Sequence, residues 1–347
     1  MKRSSPRKSP CSARYSPAAA FQYARLAREV SASLNSTRTG PLTDQTLVFS
    51  GMSDFAASAV PLAGGYGGQT YAVSAGGEDA VLKLYVKQPE RAAVDAALLQ
   101  LVRGLLPVPR VLEAKREGSA DDPPYLLTER LPGINLQVYL ETAGEPERRT
   151  VGEQLGELLV RLSGMPFLTF GEFRGGELAI EPFGLGDLER YVEGLDLGLD
   201  PGQLERFGAV VAEAEDVLAE GVDRVCLVHS DFNPKNLLVD PATARITGLI
   251  DWEFSHAGSP YTDLGNLFRF CSDPVLAGAV LSVIRGSGLG LGEPLVDLGR
   301  AADLWALLDL AARSTEHEIA AAAHDLVSRM ADTSTLAGGR ADLDVVH

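Results

Sequence analysis

Cysteine is scarce in this sequence, which has three cysteines among 347 residues. Cys11, Cys226 and Cys271 lie far apart, and none of them belongs to a C-x2-C pair. This spacing argues against a structural zinc site and against a disulfide framework. We therefore expect the chain to fold in a reducing, cytoplasmic environment.

Long apolar runs are also lacking. No run approaches the roughly eighteen apolar residues that a membrane-spanning helix needs, so no membrane partner is expected. The hydrophobic share of 45% is nevertheless enough to form a core. Length and composition predict one large globular domain or two moderate ones.

Basic residues are concentrated at the N-terminus. The net charge is −16, yet residues 1–46 carry eight Lys or Arg against Glu29 and Asp44. Residues 1–45, rich in Ser, Arg and Pro, are predicted to be disordered, and an organelle transit peptide would have the same composition. The acidic remainder argues against a nucleic-acid partner and favours cationic ones, although acidity that only maintains solubility looks the same.

The most informative stretch runs from Cys226 to Gly265 and reads CLVHSDFNPKNLLVD, PATARITGLI and DWEFSHAGSPYTDLG. His229, Asp231 and Asn236 have the spacing H-x-D-x4-N of the protein-kinase catalytic loop, where the Asp is the base and the Asn a metal ligand. The apolar runs on both sides predict short strands around a polar loop, with a further strand leading into Asp251.

The segments VHSDFNPKNLLVD, GLIDWE and YTDLG resemble the aminoglycoside phosphotransferase and choline kinase family of small-molecule kinases. The likeness extends more thinly from Val60 to Phe270, and Ser230 replaces the glycine that is usual in the family. It implies an α+β, protein-kinase-like fold of two lobes. The smaller, β-rich, nucleotide-binding lobe would cover residues 46–131, and the larger, mainly helical, catalytic and substrate lobe residues 132–335. We expect residues 336–347 to form a frayed tail.

Short β patterns in the first predicted lobe surround a glycine cluster. Glycine lets backbone N–H groups approach a phosphate closely, so the cluster is a candidate nucleotide lid, although a plain hairpin turn has the same letters. Its glycines are Gly64, Gly65, Gly67 and Gly68. Lys83 follows in the next predicted strand, 80–85, and the resemblance implies that it contacts the nucleotide phosphates.

Helical spacing predicts a helix over 88–105 with an apolar stripe. The stripe consists of Val94, Leu98, Leu101 and Leu105. Family members carry a Glu here that orients the strand lysine, and Asp95 occupies the matching position. Glu90, nearer the helix start, is the alternative partner of Lys83.

Strands are predicted at 107–112 and 125–131, around a polar loop at 113–124. The second strand resembles the hinge between the lobes, which implies that Glu129 and Leu131 lie beside the nucleotide base. A plain strand that ends at Pro132 predicts the same letters.

The C-terminal part is predicted to be mainly helical, with an irregular loop over 167–181 and a helix at 136–140. The last helix should bury the stripe Ile319, Ala322, Leu326 and Met330. Four acidic residues in this region are interpreted as solvated helix faces, although the resemblance implies that such residues help to bind cationic substrates. They are Asp303, Asp309, Glu316 and Glu318.

Supporting roles are predicted for several neighbours of the motif. His229 is interpreted as a structural brace, and Asp263 as an acceptor of backbone N–H bonds from the catalytic loop. Lys235 is expected to face solvent, while Trp252 and Glu253 are expected to border the acceptor pocket.

Together these residues predict a Mg²⁺-dependent phosphotransferase. Asp231 would act as the base, a role worth about 10²–10⁴ in rate, and Asn236 and Asp251 would hold Mg²⁺. The donor would be ATP or GTP, and the acceptor a hydroxyl of a small polar molecule, with cationic aminoglycoside-type antibiotics as the first hypothesis. The alternatives are a metabolic kinase of choline, ethanolamine, homoserine or an amino-sugar, and a catalytically silent kinase-like binding scaffold.

Overall fold

The computed structural model describes residues 59–62, 69–75, 78–118, 122–183, 188–340 and 343. The predicted disordered segment 1–45 and the predicted glycine lid lie outside these residues, and so does most of the tail after residue 340. The glycines concerned are Gly64, Gly65, Gly67 and Gly68.

The N-terminal part is a five-stranded antiparallel sheet with the order β1-β2-β3-β5-β4. Its strands are β1 (Val60–Pro61), β2 (Gln69–Ala75), β3 (Glu78–Leu84), β4 (Val111–Lys115) and β5 (Tyr125–Glu129). Side chains of β3 alternate between the two faces. Leu82 and Leu84 pack into a small core with Leu127, and Lys83 therefore faces the opposite side. Helix α1 (Arg91–Val102) packs against β4 and β5.

The C-terminal part is mainly helical. Its helices are α2 (Leu136–Leu140), α3 (Glu145–Ser163), α4 (Leu188–Glu193), α5 (Pro201–Glu220), α6 (Tyr261–Phe268), α7 (Pro274–Gly286), α8 (Leu295–Ala311) and α9 (Glu318–Thr333). Helix α5 begins with a capping box in which Asp200 and Gln203 bond each other's backbone N–H groups. The prediction of a helix at 136–140 is confirmed.

Two small sheets hold the polar loop of the sequence motif, residues 229–236, in place. One has the order β7-β10-β13-β8-β9 and the other β12-β11-β6. Their strands are β6 (Ile134–Asn135), β7 (Pro166–Phe167), β8 (Gly171–Arg174), β9 (Ala179–Pro182), β10 (Val225–Val228), β11 (Leu237–Asp240), β12 (Arg245–Leu249) and β13 (His256–Gly258). Residues 229–236 connect β10 to β11, and β12 ends just before Asp251, as the strand patterns predicted.

The predicted irregular loop over 167–181 is wrong, because β8 and β9 form a hairpin there. The hairpin is completed by β13, which pairs His256 with Glu172 across a long stretch of sequence. No local pattern could indicate this pairing. Gly171 is required by the close approach of β9, since a Cβ atom at this position would overlap the Glu181 carbonyl.

Two predicted elements are shifted. Strand β4 lies at Val111–Lys115 rather than at 107–112, because an edge strand tolerates charged residues that read as a loop. Helix α1 ends at Val102, before Gly104 with its φ of +83°, so Leu105 lies beyond the helix and is 51% exposed. Leu101 lies in the last turn of the helix but faces solvent, with 46% exposure.

The buried stripe of α9 also differs from the prediction. Ile319 is 50% exposed, and Ala323 takes the buried position predicted for Ala322. The buried residues of this helix are Ala320, Ala323, Leu326, Val327, Met330 and Ala331. Ile319 lies in the first turn, beside the cavities described below.

Helices α6 and α8 cross closely because two glycines meet. A Cβ atom at Gly265 would overlap the carbonyl oxygen of Gly299. This contact brings Asp263 on α6 under the polar loop and Asp303 on α8 beside Asn266. None of the helices in the described part of the chain combines the length and apolarity that a membrane crossing requires.

Candidate active site

The polar loop between β10 and β11 is fixed from below by Asp263. This carboxylate accepts backbone N–H bonds from His229 at 2.8 Å and from Ser230 at 2.7 Å, the arrangement predicted for it. Burial raises the pKa of Asp263 to about 7, and the two N–H donors oppose the increase. The two bonds orient the loop so that Asp231 faces outward.

The backbone at Ser230 has a φ of +64°, in the left-handed region that favours glycine. Its N–H bond to Asp263 is nevertheless formed, so the loop keeps its geometry with serine at this position. Asp251 has a similar φ of +67°. Non-glycine residues in this region carry strain that is common at functional sites.

His229 is fully buried and braces the loop. One ring nitrogen, Nε2, lies 3.0 Å from the carbonyl oxygen of Ile250, and Nδ1 accepts the backbone N–H of Asp231 at 3.3 Å. This pairing requires the neutral ring with its proton on Nε2. Burial lowers the pKa of His229, which keeps the ring neutral. Through its two nitrogen contacts, the ring connects the segment of Asp231 with the segment that leads into Asp251.

Asp231 is held by three nitrogen donors. Asn233 Nδ2 lies 2.6 Å from Oδ1, while Asn236 Nδ2 and Lys235 Nζ lie 2.8 Å and 3.1 Å from Oδ2. The Lys235 side chain is 57% exposed, in agreement with its predicted solvent-facing position. These contacts fix the carboxylate in one orientation.

Lys83 lies among three carboxylates. Its ammonium is 3.0 Å from Asp251, 3.2 Å from Glu253 and 4.0 Å from Asp95. Burial alone would lower the pKa of Lys83, but Asp251 and the other anions raise it well above its usual value. Lys83 in turn holds the pKa of Asp251 below its usual range against the effect of burial.

Of the two predicted partners on the helix, Asp95 is the one that the fold brings within 4.0 Å of Lys83. Asp95 also accepts hydrogen bonds from Tyr85 Oη at 2.7 Å and from Arg91 at 2.9 Å. Glu90 occupies the position just before α1.

Lys83, Asp95, Asn236 and Asp251 line one cavity of about 1060 Å³, which we call the Lys83 cavity. It lies between the N-terminal sheet and the polar loop. Both predicted hinge residues, Glu129 and Leu131, also line it. The Glu129 side chain accepts the backbone N–H of Arg110 at 2.9 Å.

A second cavity, of about 540 Å³, lies on the other side of the loop among helices α6, α8 and α9. We call it the Asp303 cavity. The interpretation of Asp303 and Asp309 as solvated residues is wrong, since they are 3% and 9% exposed and line this cavity. Each is buried because an arginine from the same helical layer neutralises it.

Trp252 and Glu253, which were expected to border the acceptor pocket, both line the Lys83 cavity. Trp252 is buried against the His229 ring, with ring centroids 4.9 Å apart. Glu253 faces Lys83 because the backbone at Asp251 turns sharply with its positive φ.

Five residues line both cavities, namely Asp231, Lys235, Phe254, His317 and Ile319. Asp231 is therefore accessible from both sides. Sequence reasoning did not identify Phe254, His317 or Ile319 as site residues. His317 caps α9 by accepting the backbone N–H of Ala320 at 3.1 Å, and no kinase-loop motif includes this distant segment.

The donor set near Asp231 fits Mg²⁺ bound together with a phosphate ligand. Asn236 donates its amide hydrogens to Asp231, which leaves its amide oxygen as a hard donor near the Asp251 side of the loop. No cluster of three or more His, Cys, Asp or Glu suited to a metal occurs in the described residues. Magnesium typically needs only one or two protein carboxylates beside phosphates and waters.

The chain resembles known phosphotransferases in sequence and in fold. The phosphotransferase enzyme family model matches residues 58–291. An aminoglycoside 3'-phosphotransferase of Streptomyces fradiae is 34% identical over 190 residues, which cover 51% of this chain and 66% of that protein. The viomycin phosphotransferase of Streptomyces vinaceus is 26% identical over 209 residues, covering 59% of this chain and 70% of that protein.

Solved structures show the fold. The complex of aminoglycoside phosphotransferase APH(4)-Ia with ADP and hygromycin B has a TM-score of 0.57 and 20% identity, covering 82% of this chain and 95% of that one. A complex of APH(2")-IIia with GDP and kanamycin has a TM-score of 0.59 and 15% identity, covering 81% and 97%. The predicted two-lobe, protein-kinase-like fold is confirmed. Since the family model covers most of the described residues, the chain belongs to the phosphotransferase enzyme family, whose members are small-molecule phosphotransferases.

Proposed function

We propose that this protein transfers the γ-phosphoryl group of a nucleoside triphosphate from the Lys83 cavity to a hydroxyl of a small molecule in the Asp303 cavity. The observation that carries this proposal is that Asp231 lines both cavities. A base for phosphoryl transfer must reach the acceptor hydroxyl while that hydroxyl faces the transferred group.

Asp231 orients the acceptor hydroxyl and takes its proton as the new O–P bond forms. The three donors around this carboxylate hold it in place without closing it to the Asp303 cavity. Orientation of this kind supports phosphoryl transfer, where positioning and electrostatics supply most of the rate enhancement. His229 and Asp263 act through the loop backbone and do not touch the acceptor in this proposal.

The Lys83 cavity is proposed to bind the nucleotide, with the ammonium of Lys83 on its phosphates. The end of β5 and the segment that follows it are proposed to offer backbone groups to the base at Glu129 and Leu131, and such groups suit ATP and GTP equally. The donor base therefore stays open. The four glycines of the predicted lid stay a prediction as well.

Asp251 and Asn236 are the residues that would hold Mg²⁺. When bound, this cation neutralises the phosphate oxygens and the charge that develops on them during transfer. The surplus of carboxylates around Lys83 supports the proposal, because Lys83 and Arg91 together face the three carboxylates of Asp95, Asp251 and Glu253, which leaves one anion in excess. A divalent cation would offset that surplus.

The acceptor is proposed to be an aminoglycoside-type, hydroxyl-rich antibiotic. The relatives aminoglycoside 3'-phosphotransferase and viomycin phosphotransferase support this choice. The predicted cytoplasmic location and the absence of a nucleic-acid partner stay predictions.

The decisive variant is Asp231→Asn, which keeps the shape of the side chain but removes its basicity. Turnover should fall about 10²–10⁴-fold, while Mg²⁺–nucleotide binding changes by less than about threefold. Release of ADP or GDP and phosphorylation of the acceptor would be followed over a panel of aminoglycosides and amino-alcohols.

Asp216→Asn, on an exposed position of α5, is the matched control and should keep wild-type turnover. If Asp231→Asn also kept wild-type turnover, the catalytic assignment would be wrong. If the wild type bound nucleotide but phosphorylated no acceptor, the kinase-like binding scaffold would replace this proposal.

A further inference from the structure

Arg91, the first residue of helix α1, connects this helix to the segment that follows Asp251. One guanidinium nitrogen, Nη2, donates to the Asp95 carboxylate at 2.9 Å and to the backbone carbonyl of Trp252 at 2.9 Å. Arg91 is only 7% exposed. Since Trp252 directly follows Asp251, a side chain of α1 holds the backbone beside a proposed metal ligand.

No local preference of the helix explains an arginine at this position. A cation in the first turn is unfavourable, because the N-terminal end of the helix dipole is positive. Arg91 and Asp95, four residues apart, also have the less favourable order of charges along a helix. A buried arginine is stable only where other groups satisfy its charge and its N–H donors. The tertiary contact with the Trp252 carbonyl accounts for the arginine.

The Asp95 carboxylate is engaged by donors other than Lys83. Its Oδ2 accepts the Tyr85 hydroxyl at 2.7 Å, and its Oδ1 accepts the Arg91 guanidinium. The Lys83 ammonium lies 4.0 Å from Asp95, which is beyond hydrogen-bond distance. Helix α1 therefore does not hold Lys83 by a hydrogen bond from this carboxylate.

Lys83 is held instead by the segment after β12. Its ammonium bonds Asp251 at 3.0 Å and Glu253 at 3.2 Å. The resemblance implied that a carboxylate of α1 orients the strand lysine. In this chain, α1 reaches residues 251–253 through Arg91, and those residues bond the lysine.

Arg91 lies where α1 meets the C-terminal part. The helix contacts β4 and β5 of the N-terminal sheet and also β8. Burial raises the pKa of Glu172 on β8, and the charges of Arg174 and Arg91 oppose the increase. The guanidinium is therefore surrounded by groups from both parts of the fold.

The backbone that Arg91 holds is strained. Asp251 has a φ of +67°, a conformation that a non-glycine residue keeps only where the surrounding structure enforces it. The bond from Arg91 to the carbonyl of the next residue, Trp252, is one such restraint.

We propose that Arg91 is a positioning residue for the proposed Mg²⁺ site, because its bond to the Trp252 carbonyl fixes the direction of the Asp251 carboxylate. This inference rests on the proposed function. Helix α1 then acts on a metal ligand, and the lysine is positioned through the same segment.

The test measures cation binding without turnover. Mn²⁺, which prefers the same oxygen ligands as Mg²⁺, is the probe, and water-proton relaxation measures its affinity for the protein loaded with ADP. Arg91→Met removes both bonds of the guanidinium and should weaken Mn²⁺ binding about tenfold, an effect typical of residues that support metal ligands. Binding of ADP in EDTA should change less than about twofold, because the Lys83 ammonium binds phosphate as a point charge.

Two further variants separate positioning from stability. Arg91→Lys keeps a cation with a shorter reach and should weaken Mn²⁺ binding only about threefold. Val102, in the last turn of α1, is fully buried. Val102→Ala should lower the melting temperature through a cavity, with the Mn²⁺ affinity within about twofold of the wild type. If Arg91→Met does not fold, Arg91→Lys decides by the same measurement.

Three results would overturn the inference. They are an unchanged Mn²⁺ affinity in the Arg91 variants, an equal loss in Val102→Ala, and a matching loss of ADP binding in EDTA, which would mean that α1 acts on phosphate binding by Lys83. A wild-type protein that binds no Mn²⁺ with ADP would end both this inference and the proposed function.

Acceptor phosphorylation, measured in parallel, distinguishes the two. If Mn²⁺ binding follows the expected pattern but no acceptor is phosphorylated, the role of Arg91 at the cation site stands and the phosphotransferase proposal fails. If acceptors are phosphorylated but Arg91→Met binds Mn²⁺ normally, only the inference about Arg91 fails.

Discussion

The two cavities on either side of Asp231 differ in their charge balance. In the Lys83 cavity, one ammonium faces three carboxylates within 4.0 Å, and Arg91 pairs with one of them, Asp95, so that one anion is in excess. In the Asp303 cavity, the carboxylates of the described wall are matched with cations. An excess of anions suits a metal ion bound together with phosphates, whereas each carboxylate of the Asp303 cavity is engaged by a cation, with Arg313 shared between Asp309 and Glu316. The difference suggests that electrostatic binding serves the nucleotide side of the reaction.

Removal of the Lys83 ammonium should have the largest effect on the difference between the two cavities. Lys83→Met leaves Asp251 and Glu253 buried without their ammonium and removes the charge proposed to bind the phosphates. Turnover should fall about 10²–10³-fold, as when one preorganised charge donor is lost, with little change in the KM of the acceptor. Steady-state kinetics with both substrates varied would measure this.

Lys115→Met is the control for that variant. Lys115 lies on the edge strand β4 and forms a partly exposed ion pair with Asp122, which contributes little. A Lys83→Met enzyme with normal turnover would mean that Lys83 only balances its carboxylates.

The protonation of His256, which lines the Asp303 cavity, tests whether the carboxylates of this wall are neutralised by their cations. Burial lowers the pKa of His256 from 6.5 to about 4, so the folded protein holds the ring neutral while the unfolded chain protonates below about 6.5. The free energy of unfolding should therefore fall by about 2 kcal/mol between pH 6.5 and 5 relative to a His256→Gln variant. Chemical denaturation of both proteins at several pH values would measure the difference.

A His256→Gln variant with the same pH dependence as the wild type would contradict this prediction. A dependence of opposite sign for His256 would mean that an unbalanced anion holds its proton. The Asp303 cavity would then be acidic, like the Lys83 cavity.

Substitution of Glu253 tests whether the excess of carboxylates around Lys83 contributes to Mg²⁺ binding. Glu253→Gln keeps a hydrogen-bond acceptor near Lys83 but removes one of the three charges. The Mg²⁺ concentration for half-maximal turnover should rise about tenfold, the size of effect typical of residues that support metal ligands, while the KM of the acceptor stays constant. Glu205→Gln, exposed on α5, is the control. An unchanged Mg²⁺ requirement would show that the surplus has another role.

The Lys83 side could be predicted from the sequence because its residues lie in short contiguous patterns. The strand with Lys83, the loop with Asp231 and the strand before Asp251 are each encoded by neighbouring residues, and known kinase spacing joins them. The sequence did not identify Phe254, His317 and Ile319, which also line this cavity, because they lie outside the kinase-loop patterns.

The Asp303 cavity could not be predicted in the same way. Its walls come from the polar loop, from Phe170 just before β8, from His256 on β13, and from the helices α2, α6, α7 and α8 with the start of α9. Asp303 and Arg269 are separated by 34 residues, and each looks like a solvated helix residue in its own segment. Only the helix crossing at Gly265 brings them together. Charge pairing across helices is a tertiary property, and the periodicity of one helix does not contain it.

The loop between the cavities offers the smallest and most specific prediction. Ser230 has a φ of +64°, a backbone conformation that destabilises a non-glycine residue by about 1 kcal/mol. Glycine would remove this strain, but it would also increase the conformational entropy of the unfolded chain. Ser230→Gly should therefore change the free energy of unfolding by about 0 to +1 kcal/mol and leave turnover within about twofold. Ser328→Gly, inside α9, should instead lose about 0.5–1 kcal/mol. Denaturant titrations of both variants would measure this contrast, and equal losses would mean that the bonds from Asp263 impose no strain at Ser230.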